Sequence, residues 1–134
     1  MATKTSYPKS KIKILLLEGL HPIAEKIFRQ NGYASIESLP KALSEKELLQ
    51  KIKDVHLLGI RSKTQLTNPV FENANKLLAA GCFCIGTNQV AMQSATENGV
   101  AVFNSPFSNT RSVAELVIAY CIMLMRRKIG RAHV

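Results

Sequence analysis

Two short polar runs carry the residues in this chain best suited to chemistry. Arg61-Ser62-Lys63 sets a forked guanidinium, a hydroxyl and an ammonium side by side, a set that suits a carboxylate or a phosphate. The plain alternative is a solvated loop with ordinary charges. Asn109-Thr110-Arg111-Ser112 joins polar side chains to the amides of a helix start, again suited to an anion, with an N-cap as the plain alternative. Other reactive types are badly spaced. Cys82 and Cys84 flank Phe83, Cys121 stands alone and His21 and His56 are far apart, so no zinc pattern emerges and the cysteines read as small buried hydrophobes. Neither histidine has a nucleophile or an acidic partner at triad spacing. Neither G-x-G-x-x-G nor G-x-x-x-x-G-K-[ST] occurs, so the chain brings no phosphate loop for a nucleotide.

The elements that must position these runs alternate regularly. Ile12 to Leu17 is a short apolar run that suits a strand buried on both faces, and His21 to Gln30 carries Ile23, Ala24, Ile27 and Phe28 at helical spacing before an Asn31-Gly32 stop. Ser35 to Leu39 is a second strand, and Ser44-Glu45-Lys46-Glu47 is a capping box opening a helix with Leu48, Leu49 and Ile52. His56 to Ile60 is a third strand, followed by a helix from Asn68 that Thr67 caps. Leu77 to Ile85 is a fourth strand, Met92 to Glu97 a short helix, and Val100 to Phe103 a fifth strand. Such βα alternation predicts an α/β fold, a flavodoxin-like parallel sheet with helices on both faces. Ligands then bind beyond the carboxyl ends of the strands, at Glu18 to His21, Arg61 to Thr64 and Gly86-Thr87-Asn88-Gln89. The last helix, Ser112 to Arg127, is apolar beyond a single face and needs a partner outside the five-stranded unit.

The net charge of +9 on 134 residues raises the question of nucleic acid. Eight basic residues and no acids lie at the two ends, leaving ten basic against nine acidic residues between Ile14 and Met125. A near-neutral body, 6% aromatics and no Trp argue against a nucleic-acid partner. Three cysteines without framework spacing fit a reducing compartment, and the polar start has no signal-peptide core. The longest apolar stretch, Val113 to Met125, has 13 residues and contains Glu115, whereas a membrane span needs about 20. The expectation is a cytoplasmic domain with no membrane partner.

Two long runs, Gly81-Cys82-Phe83-Cys84-Ile85-Gly86-Thr87-Asn88-Gln89-Val90 and Val102 to Leu116, together with Ile12 to Gly19 and Gly59 to Thr64, closely resemble the D-isomer-specific 2-hydroxyacid dehydrogenases. Within that family they are similar to the branch that oxidises 3-phosphoglycerate with NAD in the first committed step of L-serine biosynthesis. The resemblance covers about residues 11–126. It implies a phosphorylated 2-hydroxy acid as substrate, NAD as cofactor and a homo-oligomeric parent enzyme. It also implies substrate contacts from Arg61 and Asn109, with the Gly86-Thr87-Asn88 loop facing the cleft between two domains. Ser62, Lys63 and Arg111 complete the expected substrate set, although Lys63 matches a position where a bacterial relative has arginine and Ala91 one that is often aspartate.

The same resemblance divides the chain into a flexible start at residues 1–10, a substrate-binding domain at 11–107 and the first helix of a Rossmann cofactor domain at 108–127. The family's catalytic arginine, glutamate and histidine and its dinucleotide glycines match nothing in this chain, so the expectation is a fragment without catalytic, cofactor-binding or metal residues and inactive alone. Ile129 to Val134 departs from the family and resembles one reading frame of a sequencing adapter, which makes 128–134 a non-native tail in this reading. The rival reading is a freestanding small-anion-binding or regulatory module.

Overall fold

The computed structural model describes residues 7–126. The expected tail at 128–134 and the first six residues lie outside them. Residues 7–10, expected as part of a flexible start, carry contacts of their own. Lys9–Lys11 form a 3-10 turn, Tyr7 stacks on His56 with ring centroids 5.6 Å apart, and Lys9 Nζ donates to Asn31 O.

Five strands follow: β1 (Lys13–Leu16), β2 (Ser35–Ser38), β3 (Leu57–Ile60), β4 (Ala79–Cys82) and β5 (Ala101–Asn104). Their helices are α1 (Pro22–Gln30), α2 (Glu45–Lys51), α3 (Asn68–Asn73), α4 (Met92–Glu97) and α5 (Thr110–Met125). All four strand pairings are parallel, in the order β2-β1-β3-β4-β5, which is the flavodoxin-like arrangement. The order reverses direction between β1 and β3, where the connections leave toward opposite faces and open a crevice at the carboxyl ends.

Alternation along the strands sorts the core into two unequal parts. Leu15 of β1 and Leu17 just after it point with Leu58 and Ile60 into a large cluster under α2, α3 and α4, where Leu48, Ile52, Val70, Phe71 and Ala95 are buried. Ile14, Leu16 and Leu20 face the other way, against Ala24 and Phe28 of α1. Beyond α1 no other helix among the described residues lines this second face over β4 and β5. An apolar cleft of about 240 Å³ runs there between Leu57, Gly59, Gly81, Phe83 and Phe103.

Local signals account for the element ends. The capping box of α2 forms, with Ser44 Oγ accepting from the Glu47 amide and the Glu47 carboxylate accepting from the Ser44 amide. His21 Nδ1 accepts from the Ile23 amide at 3.2 Å and so caps α1. Thr67 precedes α3 without a side-chain cap, and its hydroxyl donates to Glu45. The expected strand from Leu77 to Ile85 pairs only over Ala79–Cys82, since its neighbour β3 ends at Ile60. Cys84 therefore lies in the following loop. The last helix begins at Thr110, two residues earlier than expected, and among its sixteen residues only Met123 is even half-buried.

The unequal core gives a direct test. Phe71 is 1% exposed and Phe103 64% exposed. Phe71→Ala should cost about 3–5 kcal/mol in a denaturant melt, as large-to-small changes in packed cores do. Phe103→Ala should cost less than about 1 kcal/mol. Equal costs would show that the open face is packed as tightly as the covered one.

Candidate functional site

The centre of the crevice is built by Glu18. Its carboxylate lies beneath the loop after β3 and accepts hydrogen bonds from the backbone amides of Arg61 at 3.1 Å, Lys63 at 3.0 Å and Thr64 at 2.8 Å. Three converging amides form a nest for an anion, and here the anion is a side chain of the protein itself. To reach them Glu18 adopts a left-handed backbone with φ of 64°, followed by Gly19 at 60°. A side chain at Gly19 would meet both that conformation and the Pro40 carbonyl, 3.4 Å from the place of its Cβ. The loop after β2 is tied in as well, since the Glu18 amide donates to Lys41 O and the Gly19 amide to Leu39 O.

Because Glu18 occupies the amides, the Arg61, Ser62 and Lys63 side chains are left for the cavity above. That cavity, of about 470 Å³, is lined by Glu18, Pro40, Lys41, Ala42, Arg61, Ser62 and Lys63. Arg61, Ser62 and Lys63 are thus brought together as expected, and Lys41 joins them as a third cation. Sequence reasoning missed Lys41 because only the β2-β1-β3 order brings the loop after β2 beside the loop after β3. Partial burial works against the charge on Glu18, but hydrogen bonds from Thr64, Lys63 and Arg61 outweigh it and hold the carboxyl below its ordinary value of 4.5.

Gly86, Thr87 and Asn88 lie on the next loop, after β4. Asn88 lines a shallow groove with Gln65, Thr67 and Asn68 rather than the cavity of Arg61. Its Oδ1 lies 2.6 Å from the place of an ideal Cβ at position 86, so a side chain there would displace the Asn88 amide from its present position. Asn109 and Arg111 stand apart from both. Asn109 precedes α5 with its side chain uncommitted to a cap, and Arg111 Nε is paired with Glu115 Oε1 at 2.7 Å on the exposed surface. Neither lines the Arg61 cavity.

The remaining reactive types have structural employment. His56 Nδ1 accepts from the Lys13 amide at 3.1 Å. Burial, with Cys84 and Glu18 nearby, pushes the Cys82 thiol up to about 11, so it is a poor nucleophile. Two of the expected buried cysteines need correction. Cys84 is half-buried, with its sulfur 3.3 Å from Gly86 O, because it follows the strand rather than belonging to it. Cys121 is exposed because α5 packs little of its surface. Among the described residues no three His, Cys, Asp or Glu side chains gather to hold a metal, and no helix is long and apolar enough to cross a membrane.

The Glu18 interaction has a definite pH signature. Its folded value lies below the unfolded one, so its stabilisation is complete above the ordinary carboxyl range and lost as pH falls through the folded value. Glu18→Gln, which keeps one acceptor and loses the charge, should lower unfolding free energy by about 1–2 kcal/mol at pH 7, the partial exposure having weakened the full charged-bond contribution. The gap between the two proteins should close as pH falls below the ordinary 4.5 and through the folded value of Glu18. A gap of constant size across that range would show that the charge contributes nothing.

Comparison with known proteins extends this geometry. The family model described as the catalytic domain of D-isomer specific 2-hydroxyacid dehydrogenases matches residues 14–122. The chain is 54% identical over 127 residues to the D-3-phosphoglycerate dehydrogenase of Dictyostelium discoideum, covering 95% of this chain and 31% of that protein. It is 58% identical over 116 residues to D-3-phosphoglycerate dehydrogenase 1 of Saccharomyces cerevisiae, covering 87% of this chain and 24% of that protein. The chain therefore spans less than a third of the length of these curated relatives. Two solved structures share the fold. One is an NAD+-bound 3-phosphoglycerate dehydrogenase of Entamoeba histolytica, with a TM-score of 0.77 at 18% identity over 92% of this chain and 42% of that one. The other is a D-lactate dehydrogenase of Aquifex aeolicus complexed with NAD and lactic acid, with a TM-score of 0.71 at 13% identity over 90% of this chain and 39% of that one. With its parallel sheet, its crevice between β1 and β3 and a family match over most of its length, the chain belongs to the D-isomer-specific 2-hydroxyacid dehydrogenases.

Proposed function

We propose that this chain is the substrate-binding part of an NAD-dependent dehydrogenase that oxidises 3-phosphoglycerate to 3-phosphohydroxypyruvate on the way to L-serine. One observation carries the reading: Glu18 fills the amide nest, so that Lys41, Arg61 and Lys63 converge on a single cavity at the crevice. A substrate with a carboxylate at one end and a phosphate at the other needs cations at both. Arg61, with two-pronged geometry, suits either group, the lysines supply point charge, and the Ser62 hydroxyl can donate to an oxygen. Gly86, Thr87 and Asn88, on the neighbouring loop, enter this reading from the family resemblance. Asn109 and Arg111 enter it from the family resemblance alone.

Oxidation of a 2-hydroxy acid removes a hydride from carbon and a proton from the hydroxyl. Glu18, the carboxylate at the cavity, is committed to three amides and is no free base for that proton. A dinucleotide does not fit the described residues either. The amides that could cradle its pyrophosphate are already taken by a negative charge, and no G-x-G-x-x-G turn opens a helix. The chain by itself therefore binds and orients the substrate. In the complete enzyme, which in this reading is a cytoplasmic homo-oligomer, the apolar surface of α5 is covered by structure outside the sheet.

Titration of the chain with 3-phosphoglycerate, D-lactate and inorganic phosphate tests the proposal. 3-Phosphoglycerate should bind at least about tenfold more tightly than either of the others, because it alone engages cations at both ends. Arg61→Ala should weaken it by roughly one to two decades, the equivalent of a charged hydrogen bond of about 1.5–3 kcal/mol. Addition of NAD should give no NADH. Equal affinity for inorganic phosphate would favour the small-anion module, and an unchanged affinity in Arg61→Ala would return Arg61 to an ordinary solvated charge.

A further inference from the structure

The loop of Arg61 is held from a second side by a residue that the substrate reading does not use. Thr64 and Gln89 are the buried polar residues among those described, and Gln89 is 5% exposed. Its Nε2 donates to Arg61 O at 2.9 Å, with Gly86 O at 3.4 Å and Cys84 Sγ at 3.3 Å around the same amide. Two carbonyl oxygens leave no doubt which end of the amide points there, because an oxygen in that place would face only acceptors. Arg61 is consequently clamped through both halves of its backbone, its N–H by Glu18 and its C=O by Gln89. Only the guanidinium is left free.

We propose that Gln89 is a positioning residue for Arg61: it ties the loop after β4 to the loop after β3 and fixes the origin of the guanidinium that meets the substrate. This rests on the assignment of Arg61 as a substrate ligand. The physical argument is the cost of the alternative. Without the Gln89 amide the Arg61 carbonyl keeps only the weak Cys84 thiol, at 3.5 Å, and turns toward water; the Arg61 Cα turns with it, so the side chain must spend binding energy on reordering. Burial also makes the strap durable, since water competes poorly for a bond inside the protein. A neutral amide suits the task better than a cation, which at this position would repel the charges of Arg61 and Lys63.

The test is a double-mutant cycle on 3-phosphoglycerate binding by the full chain, with the melting temperature of each variant recorded so that all are compared folded. Gln89→Met keeps the length and volume and removes the donor. It should weaken binding about tenfold in the wild-type background and by less than about twofold in the Arg61→Ala background, because a positioning effect has nothing to position once the guanidinium is gone. A purely structural residue would weaken both backgrounds alike, and that result, or no weakening in the wild-type background, overturns the inference. If Arg61→Ala itself has no effect, the substrate assignment fails and the inference with it. If Gln89→Met does not fold, the unmodified chain decides by NMR. The Gln89 side-chain amide signals should shift on addition of 3-phosphoglycerate with the same midpoint as the Arg61 backbone amide, and amide signals that stay in place overturn the inference.

Discussion

A carboxylate seated in three backbone amides organises this molecule. Glu18 leaves the end of β1 in a left-handed conformation that an ordinary residue avoids, and the loop from Arg61 to Thr64 closes over it. That contact joins the two strands between which the chain reverses its winding, where an open parallel sheet leaves its crevice. It also takes the Arg61, Lys63 and Thr64 amides out of use, so an anion meets this loop chiefly through its side chains. The consequence is chemical: the cavity is lined by flexible cations around a fixed floor, not by fixed amides.

The sheet around this crevice is finished on one face and open on the other. Leu48, Ile52, Val70 and Phe71 seal the face under α2, α3 and α4. On the opposite face α1 packs around β1, and its Phe28 borders, with Phe83 and Phe103, an apolar cleft that no other helix among the described residues lines. The final helix carries Leu116, Tyr120 and Leu124, each about half exposed or more, and buries none of its residues. Apolar surface left open in two places is consistent with a chain that matches less than a third of its curated relatives.

Much of this was legible from local signals, because the features concerned are local. The capping box at Ser44 and Glu47 needs only three residues of spacing, and the apolar runs of β1 and β3 report burial on both faces directly. The place of Arg61-Ser62-Lys63 followed from one rule about strand ends. What escaped depends on contacts across the fold. Glu18 is 43 to 46 positions from its amide partners, Lys41 reaches the cavity only through the strand order, and Gln89, which the strand-end rule puts in a ligand loop, carries no local sign of its burial against Arg61. Cys84 was placed in a strand because apolar residues continue past Cys82, although pairing stops where β3 stops. Asn109 and Arg111 could not be located from spacing, since α5 packs little of its surface and no local signal sets its direction.

The whole account turns on the ionised state of Glu18, and a carbon-detected NMR titration of its carboxyl group measures that state directly. The midpoint should lie below the ordinary 4.5, and the backbone amide signals of Arg61, Lys63 and Thr64 should shift with the same midpoint as the carboxylate takes up its proton. A midpoint at or above the ordinary value, with those three amides unaffected by the titration, would contradict it.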